Sequence, residues 1–209
     1  MTKPRVRVYT DYKSPYAFVA NAPLFALEES EGVELEWLPY TLRIPEFMGT
    51  VEERTPHFWR KARYLYMDAR RFANKQGLTI KGTRRIYDAF YASAGMLYAQ
   101  AHGFFRLYHD AVFRRFWNQE IELDDLAAIC AVIAEFGGSP ADFTAYVEGP
   151  ARSEHDRIID EAEALGVFGV PTMVFAGELF WGGDRIPMLI ERIRDPETAE
   201  IALGRRRQR

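Results

Sequence analysis

The chain has 209 residues, a formal net charge of −3, an apolar fraction of 48% and an aromatic fraction of 14%. That much apolar material builds a real core, in one compact fold or two interlocked modules, and excludes a disordered chain. The balanced charge removes the electrostatic reason to expect nucleic-acid binding, and no apolar run approaches the ~18 residues that span a bilayer.

Met1 leads directly into Arg5-Val6-Arg7-Val8, an alternating strand rather than the apolar centre of a signal peptide, so a cytoplasmic location is expected. The strand continues to Thr10. Ser14 to Glu29 then predicts a helix with Phe18, Ala22, Phe25 and Ala26 on its buried face; Ser14 suits the N-cap and Pro15 the first helical position. Val33 to Leu38 alternates again, and the resulting β-α-β crossover implies parallel strands. From Pro45 to about Gly166 the strand signal disappears. Pro56 to Gln76, Gly82 to Gly103, Phe104 to Trp117, Leu123 to Gly137 and Pro140 to Leu165 read as helices, with Gly137-Gly138 and Ser139-Pro140 as a stop and a restart.

Strands return at Val170-Pro171. Thr172 to Phe175 predicts a strand, Ala176-Gly177 a tight turn, Leu179 to Trp181 a second strand and Ile186 to Ile193 a closing helix with Asp184 as its cap. A proline at a strand entrance removes one backbone donor and often marks a cis peptide. The order β-α-β, helical block, β-β-α is explained by an all-helical module, residues 45–165, inserted into a discontinuous α/β domain of residues 1–44 and 166–209. Side-by-side domains would leave the first two strands as an isolated pair, which is poorly stable.

Cys130 lies in the apolar run Leu126 to Ile133 and reads as a small buried hydrophobe; a single cysteine cannot form an internal disulfide. His57, His102, His109 and His155 lack metal-ligand spacing. The pairs Arg70-Arg71, Arg84-Arg85 and Arg114-Arg115 and the Arg205–Arg207 tail read as solvated faces and a frayed end, with carboxylate binding by an internal arginine as the alternative. Ser14 has two readings. It is a competent helix cap, and it also stands at the carboxyl end of a parallel strand, where α/β sheets place ligands and where a helix dipole favours an anion.

Ser14-Pro15-Tyr16, Val170-Pro171 and Trp181-Gly182-Gly183-Asp184-Arg185, in that order around a helical block, resemble the 2-hydroxychromene-2-carboxylate isomerases and the related kappa-class glutathione transferases. These belong to the DsbA-like branch of the thioredoxin superfamily, and the resemblance covers essentially the whole chain. It implies a thioredoxin fold with an inserted all-helical domain. It also implies glutathione as cofactor, with Ser14 donating to the sulfur, the main chain of Val170 before Pro171 pairing with the cysteinyl backbone, and Asp184 with the Gly183 N–H holding the γ-glutamyl end. Arg185 pairs with that carboxylate or lies on the helix surface. Dithiol members carry Cys-x-x-Cys where this chain has Ser14 to Ala17, so dithiol exchange is excluded unless another molecule supplies both thiols.

The implied reaction opens a cyclic hemiketal and isomerises a side-chain double bond by reversible thiolate addition, on a small aromatic carboxylate. Lys13 and Tyr16 are candidate substrate contacts, Lys13 as a cation for the carboxylate, although a solvated lysine is the plainer reading. Tyr64, Tyr66, Phe90, Tyr91 and Tyr98 are candidates for an aromatic slot, Tyr64 and Tyr91 first among them; Trp181 reads as sheet core. The family's Gly-Asn-x-Pro-Pro-like segment has no counterpart in Gly49 to Pro56, where Arg54 is the candidate substitute for the missing asparagine. A kappa-like transferase, a DsbA-like oxidoreductase and a non-catalytic binding module are the competing functions. A homodimer is expected from the resemblance.

Overall fold

The computed structural model describes residues 3–44, 53 and 55–195. The segment around Gly49, Arg54 and the arginine tail from Arg205 therefore lie outside the described residues. Strand β1 (Arg5–Thr10) leads into helix α1 (Pro15–Glu31) and strand β2 (Glu34–Pro39). Among the described residues six helices follow: α2 (Pro56–Lys75), α3 (Phe90–Ala101), α4 (Phe105–Trp117), α5 (Leu126–Glu135), α6 (Pro140–Glu148) and α7 (Ala151–Ala164). Strands β3 (Thr172–Phe175) and β4 (Glu178–Trp181), a 3₁₀ turn (Gly183–Arg185) and helix α8 (Ile186–Arg194) close the described chain.

The strands form one mixed sheet in the order β2-β1-β3-β4. β1 and β2 are parallel, as the crossover implied, whereas β3 runs antiparallel to β1 and β4 antiparallel to β3. The two ends of the sequence thus complete one sheet. On one face Val6, Val8, Leu35, Trp37, Met173 and Phe180 pack against Leu24, Phe25 and Leu27 of α1 and Ile186 and Leu189 of α8. The other face, through Tyr9 and Val174, joins the core of the helical block. No helix among the described residues is long and apolar enough to cross a membrane.

The structure corrects four expectations about the elements. Ala22 and Ala26 are exposed, and Leu24 and Leu27 take the buried stripe of α1 beside Phe18 and Phe25. The helix expected from Gly82 starts only at Phe90. Lys81 N–H bonds the Trp117 carbonyl at 2.9 Å, and Arg85 bridges Glu122 and Asp124 at 2.7 and 2.8 Å, so tertiary bonds hold this stretch non-helical. Pro140 to Leu165 is two helices, broken where Gly149 and Pro150 interrupt the ladder. Cys130 is only half-buried, its Sγ 3.7 Å from the Thr144 hydroxyl.

The helical block is joined to the sheet by a polar contact inside an aromatic box. His109 of α4 is fully buried, with Trp37 and Phe105 at 4.8 Å and Phe113 at 4.9 Å between ring centroids. Its Nε2–H donates to Asn21 Oδ1 at 3.3 Å, so Nδ1 is left to accept the Tyr12 hydroxyl at 2.9 Å. Burial pushes the His109 pKa down to about 3, so the native protein holds a neutral ring while the unfolded chain takes up a proton below about 6.5. More protons bind the unfolded state between those values, and stability falls as pH drops through the window. The slope from this one group is up to about 1.4 kcal/mol per pH unit. Urea denaturation from pH 7 to 4 should show this slope, and His109→Gln should flatten it; an unchanged slope in the variant removes His109 as its source.

Candidate active site

The site is built where β1, β2 and β3 present their ends to the start of α1. Ser14 is the N-cap of α1: its Oγ accepts the Ala17 N–H at 3.1 Å, and Pro15 occupies the first turn. With the oxygen engaged as an acceptor, the hydroxyl proton points outward, and it donates to the Val170 carbonyl at 3.5 Å across 156 residues of sequence separation. Val170-Pro171 is a cis peptide, as expected. Thr172 Oγ1 closes the bend by donating to the Gly169 carbonyl at 2.7 Å. Among the described residues no acceptor takes the Val170 N–H. Buried Val170 therefore presents one open donor, and one carbonyl bonded only at long range.

The loop before Ser14 is held by Asp11, which the sequence reading passed over. The fully buried carboxylate accepts the Lys13 N–H at 2.9 Å through Oδ1 and the Leu42 N–H at 2.7 Å through Oδ2. Ser14 N–H bonds the Asp11 carbonyl at 2.9 Å. An aspartate directly after a strand and two residues before a backbone donor is the signal that could have found it. Lys13 is not solvated: its side chain is 5% exposed, with Nζ 3.0 Å from the Leu42 carbonyl and 3.6 Å from Asp11 Oδ2. A lysine in the first loop is expected to extend into water; here its ammonium is drawn inward by that carboxylate and carbonyl.

The second half of the site follows β4. Gly182 N–H bonds the Pro171 carbonyl at 2.8 Å, so the Gly182-Gly183-Asp184 bend is fastened to the proline turn. Gly183 is required by close approach, since a Cβ there would lie 3.2 Å from the Ala20 Cβ of α1. Asp184 does not cap α8. It sits within the 3₁₀ turn, with Arg185 at the N-cap position, because Gly182 at φ +103° folds the Asp184 carboxylate back over itself. Arg185 Nη1 pairs with Asp184 Oδ2 at 2.7 Å, and both side chains are largely exposed. The Gly183 and Asp184 N–H groups have no acceptor among the described residues.

Ser14, Val170 and Pro171 are thus brought together, and Gly183, Asp184 and Arg185 are tied to them through Gly182. Tyr16 is half-buried and donates to Asp68 Oδ2 of α2 at 3.0 Å; burial first, then that bond and the Asp68 charge, hold its pKa above the ordinary tyrosine value. Tyr64 is 54% exposed. The other slot candidates belong to the helical block. Phe90 and Tyr98 are core residues, Tyr66 bonds Thr83 Oγ1 at 2.9 Å, and Tyr91 packs half-buried with Phe90 as its ring partner at 5.7 Å. Trp181 is not sheet core: it is 54% exposed and contacts the exposed Phe168, a residue with no role in the sequence reading.

The model of the DSBA-like thioredoxin domain matches residues 5–194. The chain belongs to the DsbA-like thioredoxin family. Within this family, a 2-hydroxychromene-2-carboxylate isomerase of Pseudomonas putida is 30% identical over 192 residues, spanning 88% of this chain and 91% of its own length. The solved structure of a 2-hydroxychromene-2-carboxylate isomerase has a TM-score of 0.77 at 26% identity and covers 95% of this chain and 98% of its own. A probable DsbA oxidoreductase from Streptomyces coelicolor, at 18% identity and a TM-score of 0.74, covers 97% and 91% and shares the fold. This DsbA-like chain has one cysteine, outside the α1 cap, so it contains no internal dithiol.

Removing the Asp11 carboxylate strands a buried ammonium and two backbone donors. Asp11→Ala should therefore destabilise the protein by about 3–5 kcal/mol in urea unfolding. Adding Lys13→Met to that variant should recover a large part of the loss, because the uncompensated charge is gone; no recovery would mean that Asp11 acts only through its backbone bonds.

Proposed function

We propose that the protein is a glutathione-dependent isomerase acting on 2-hydroxychromene-2-carboxylate or a closely related small aromatic carboxylate. The observation that carries the reading is the Ser14 hydroxyl at the start of α1, facing the Val170 carbonyl at 3.5 Å. The names of the relatives supply the substrate class.

The residues fit glutathione. The open Val170 N–H and the weakly bonded Val170 carbonyl match a peptide backbone laid alongside them. The free N–H groups of Gly183 and Asp184 suit the γ-glutamyl carboxylate, and the Asp184 side chain its ammonium, with Arg185 as a second cation for the carboxylate. When bound, glutathione supplies a nucleophilic sulfur that adds reversibly to the conjugated side chain and is returned unchanged. Ser14 donates its proton to an anion at the helix end, and the N-terminal dipole of α1 favours the same charge. The buried Lys13 ammonium adds positive potential beside Ser14 without reaching into solvent. Tyr16, two residues past Ser14 and held by Asp68 of α2, is the first aromatic residue of α1, and Tyr91 acts only indirectly through the core.

Ser14→Ala removes the donor and leaves most of the fold, at a cost of about 1 kcal/mol for the lost cap. Turnover with saturating glutathione should fall by about 100-fold or more, and the thiolate absorbance of bound glutathione should titrate at higher pH. Full activity in this variant, with an unmoved thiol titration, would show that the sulfur is activated elsewhere.

A further inference from the structure

We propose that Phe168 and Trp181 form an aromatic platform that seats the ring of the substrate beside the proline turn, an assignment that rests on the isomerase reading above. Among the described residues this is the one contacting aromatic pair in which both side chains are more than half exposed, Phe168 at 64% and Trp181 at 54%. Their centroids lie 4.8 Å apart with the planes inclined at 60°. The indole is laid over Gly169, where an added Cβ would come within 2.9 Å of Trp181 Nε1. The platform therefore abuts the residue next to Val170, whose carbonyl receives the Ser14 hydroxyl. Trp181 also faces Thr172 across the β3–β4 ladder, one residue beyond Pro171.

The chemistry of this surface suits a flat, oxygen-bearing aromatic. Each ring can bury on the order of 150–250 Å² against a ligand, and offset or edge contacts between rings add to that burial. Trp181 Nε1–H has no acceptor among the described residues, which leaves one donor at the rim for a phenolic, carbonyl or carboxylate oxygen. Glutathione has no ring to place here, and its charged ends match the Gly183–Arg185 turn. Two side chains are also far smaller than the roughly 800 Å² per partner of a standard protein interface. The alternation of β4 explains the placement: Phe180 turns into the core, and Trp181 turns out at the end of the edge strand.

The test uses the intact protein and reads binding as well as turnover. Of the four tryptophans, Trp37 and Trp117 are buried, so Trp59 and Trp181 supply the solvent-exposed emission, and Trp59→Phe serves as the background that isolates Trp181. Titration with 2-hydroxychromene-2-carboxylate without glutathione should quench wild-type fluorescence saturably, and Trp181→Leu should abolish that saturable component. Phe168→Ala and Trp181→Leu should each raise the substrate KM by about ten-fold, while calorimetric glutathione affinity stays within about two-fold of wild type. Trp181→Phe, which keeps a ring and loses the N–H, should fall between. Unchanged substrate KM in both variants, with glutathione binding and turnover intact in the wild type, overturns the platform alone. Weakened glutathione binding with an unmoved substrate KM assigns the surface to the tripeptide and overturns it too. A wild-type protein that binds neither compound overturns the isomerase reading together with the platform.

Discussion

The antiparallel pairing of β1 with β3 is the constraint on which the site depends. Its register sets Tyr9 opposite Thr172, so the residues that follow β1 and those that precede β3 emerge at the same end of the sheet. Ser14 and Val170 meet there although a whole helical block lies between them in sequence. A shift of one residue would exchange the two faces of the sheet and carry Met173 out of the core, where it is fully buried. The same packing that stabilises the sheet therefore fixes the site. Nothing local to either loop could do so.

Register alone leaves both loops free to wander, and three further ties remove that freedom. On the β1 side the Asp11 carboxylate gathers the Lys13 and Leu42 amides, joining the ends of two parallel strands. On the β3 side Gly182 N–H to Pro171 O joins the proline turn to the bend after β4. A third tie comes from Tyr40, whose hydroxyl donates to the Val167 carbonyl at 3.2 Å and so connects the end of β2 with the chain entering the turn. Each tie engages a main-chain group at a strand end, where the ladder itself no longer supplies partners. Beside these ties the N–H groups of Val170, Gly183 and Asp184 stay without an acceptor among the described residues.

What could be read from the sequence was what depends on neighbours in sequence. Alternating valines set β1 and its inward face; Ser14-Pro15 set the start of α1; Val170-Pro171 and Ala176-Gly177 set the bend and the hairpin. What could not be read depends on partners distant in sequence. Lys13 looks like any loop lysine until Leu42 and the side chain of Asp11 are in place around it. His109 is one aromatic-flanked residue of an amphipathic helix, and only the fold supplies Tyr12 and Asn21 to its two nitrogens. Trp181 reads as sheet core because it ends an apolar run, and nothing local to that run tells that Phe180 takes the core while Trp181 stands exposed at the strand end. The Gly149-Pro150 break differs from these: its signal is local, and the apolar pattern on either side masked it.

The exchange of thiol for hydroxyl at the cap of α1 changes what the helix end can do. A cysteine at this place offers a thiolate, which the dipole stabilises and which attacks a disulfide. Serine has a pKa far too high for that, so its contribution is decided by where its single proton points. Here the Oγ is occupied as an acceptor by the Ala17 N–H, which turns the O–H away from the helix and toward the mouth of the site. Its present acceptor, the Val170 carbonyl, stands at 3.5 Å, well beyond the usual O–H···O separation of about 2.7–2.8 Å. A bond that long holds the proton in direction while giving it up readily to a stronger acceptor. The cap that fixes the helix thus also aims the donor, and an anion arriving between Ser14 and Val170 meets a hydroxyl already turned to receive it.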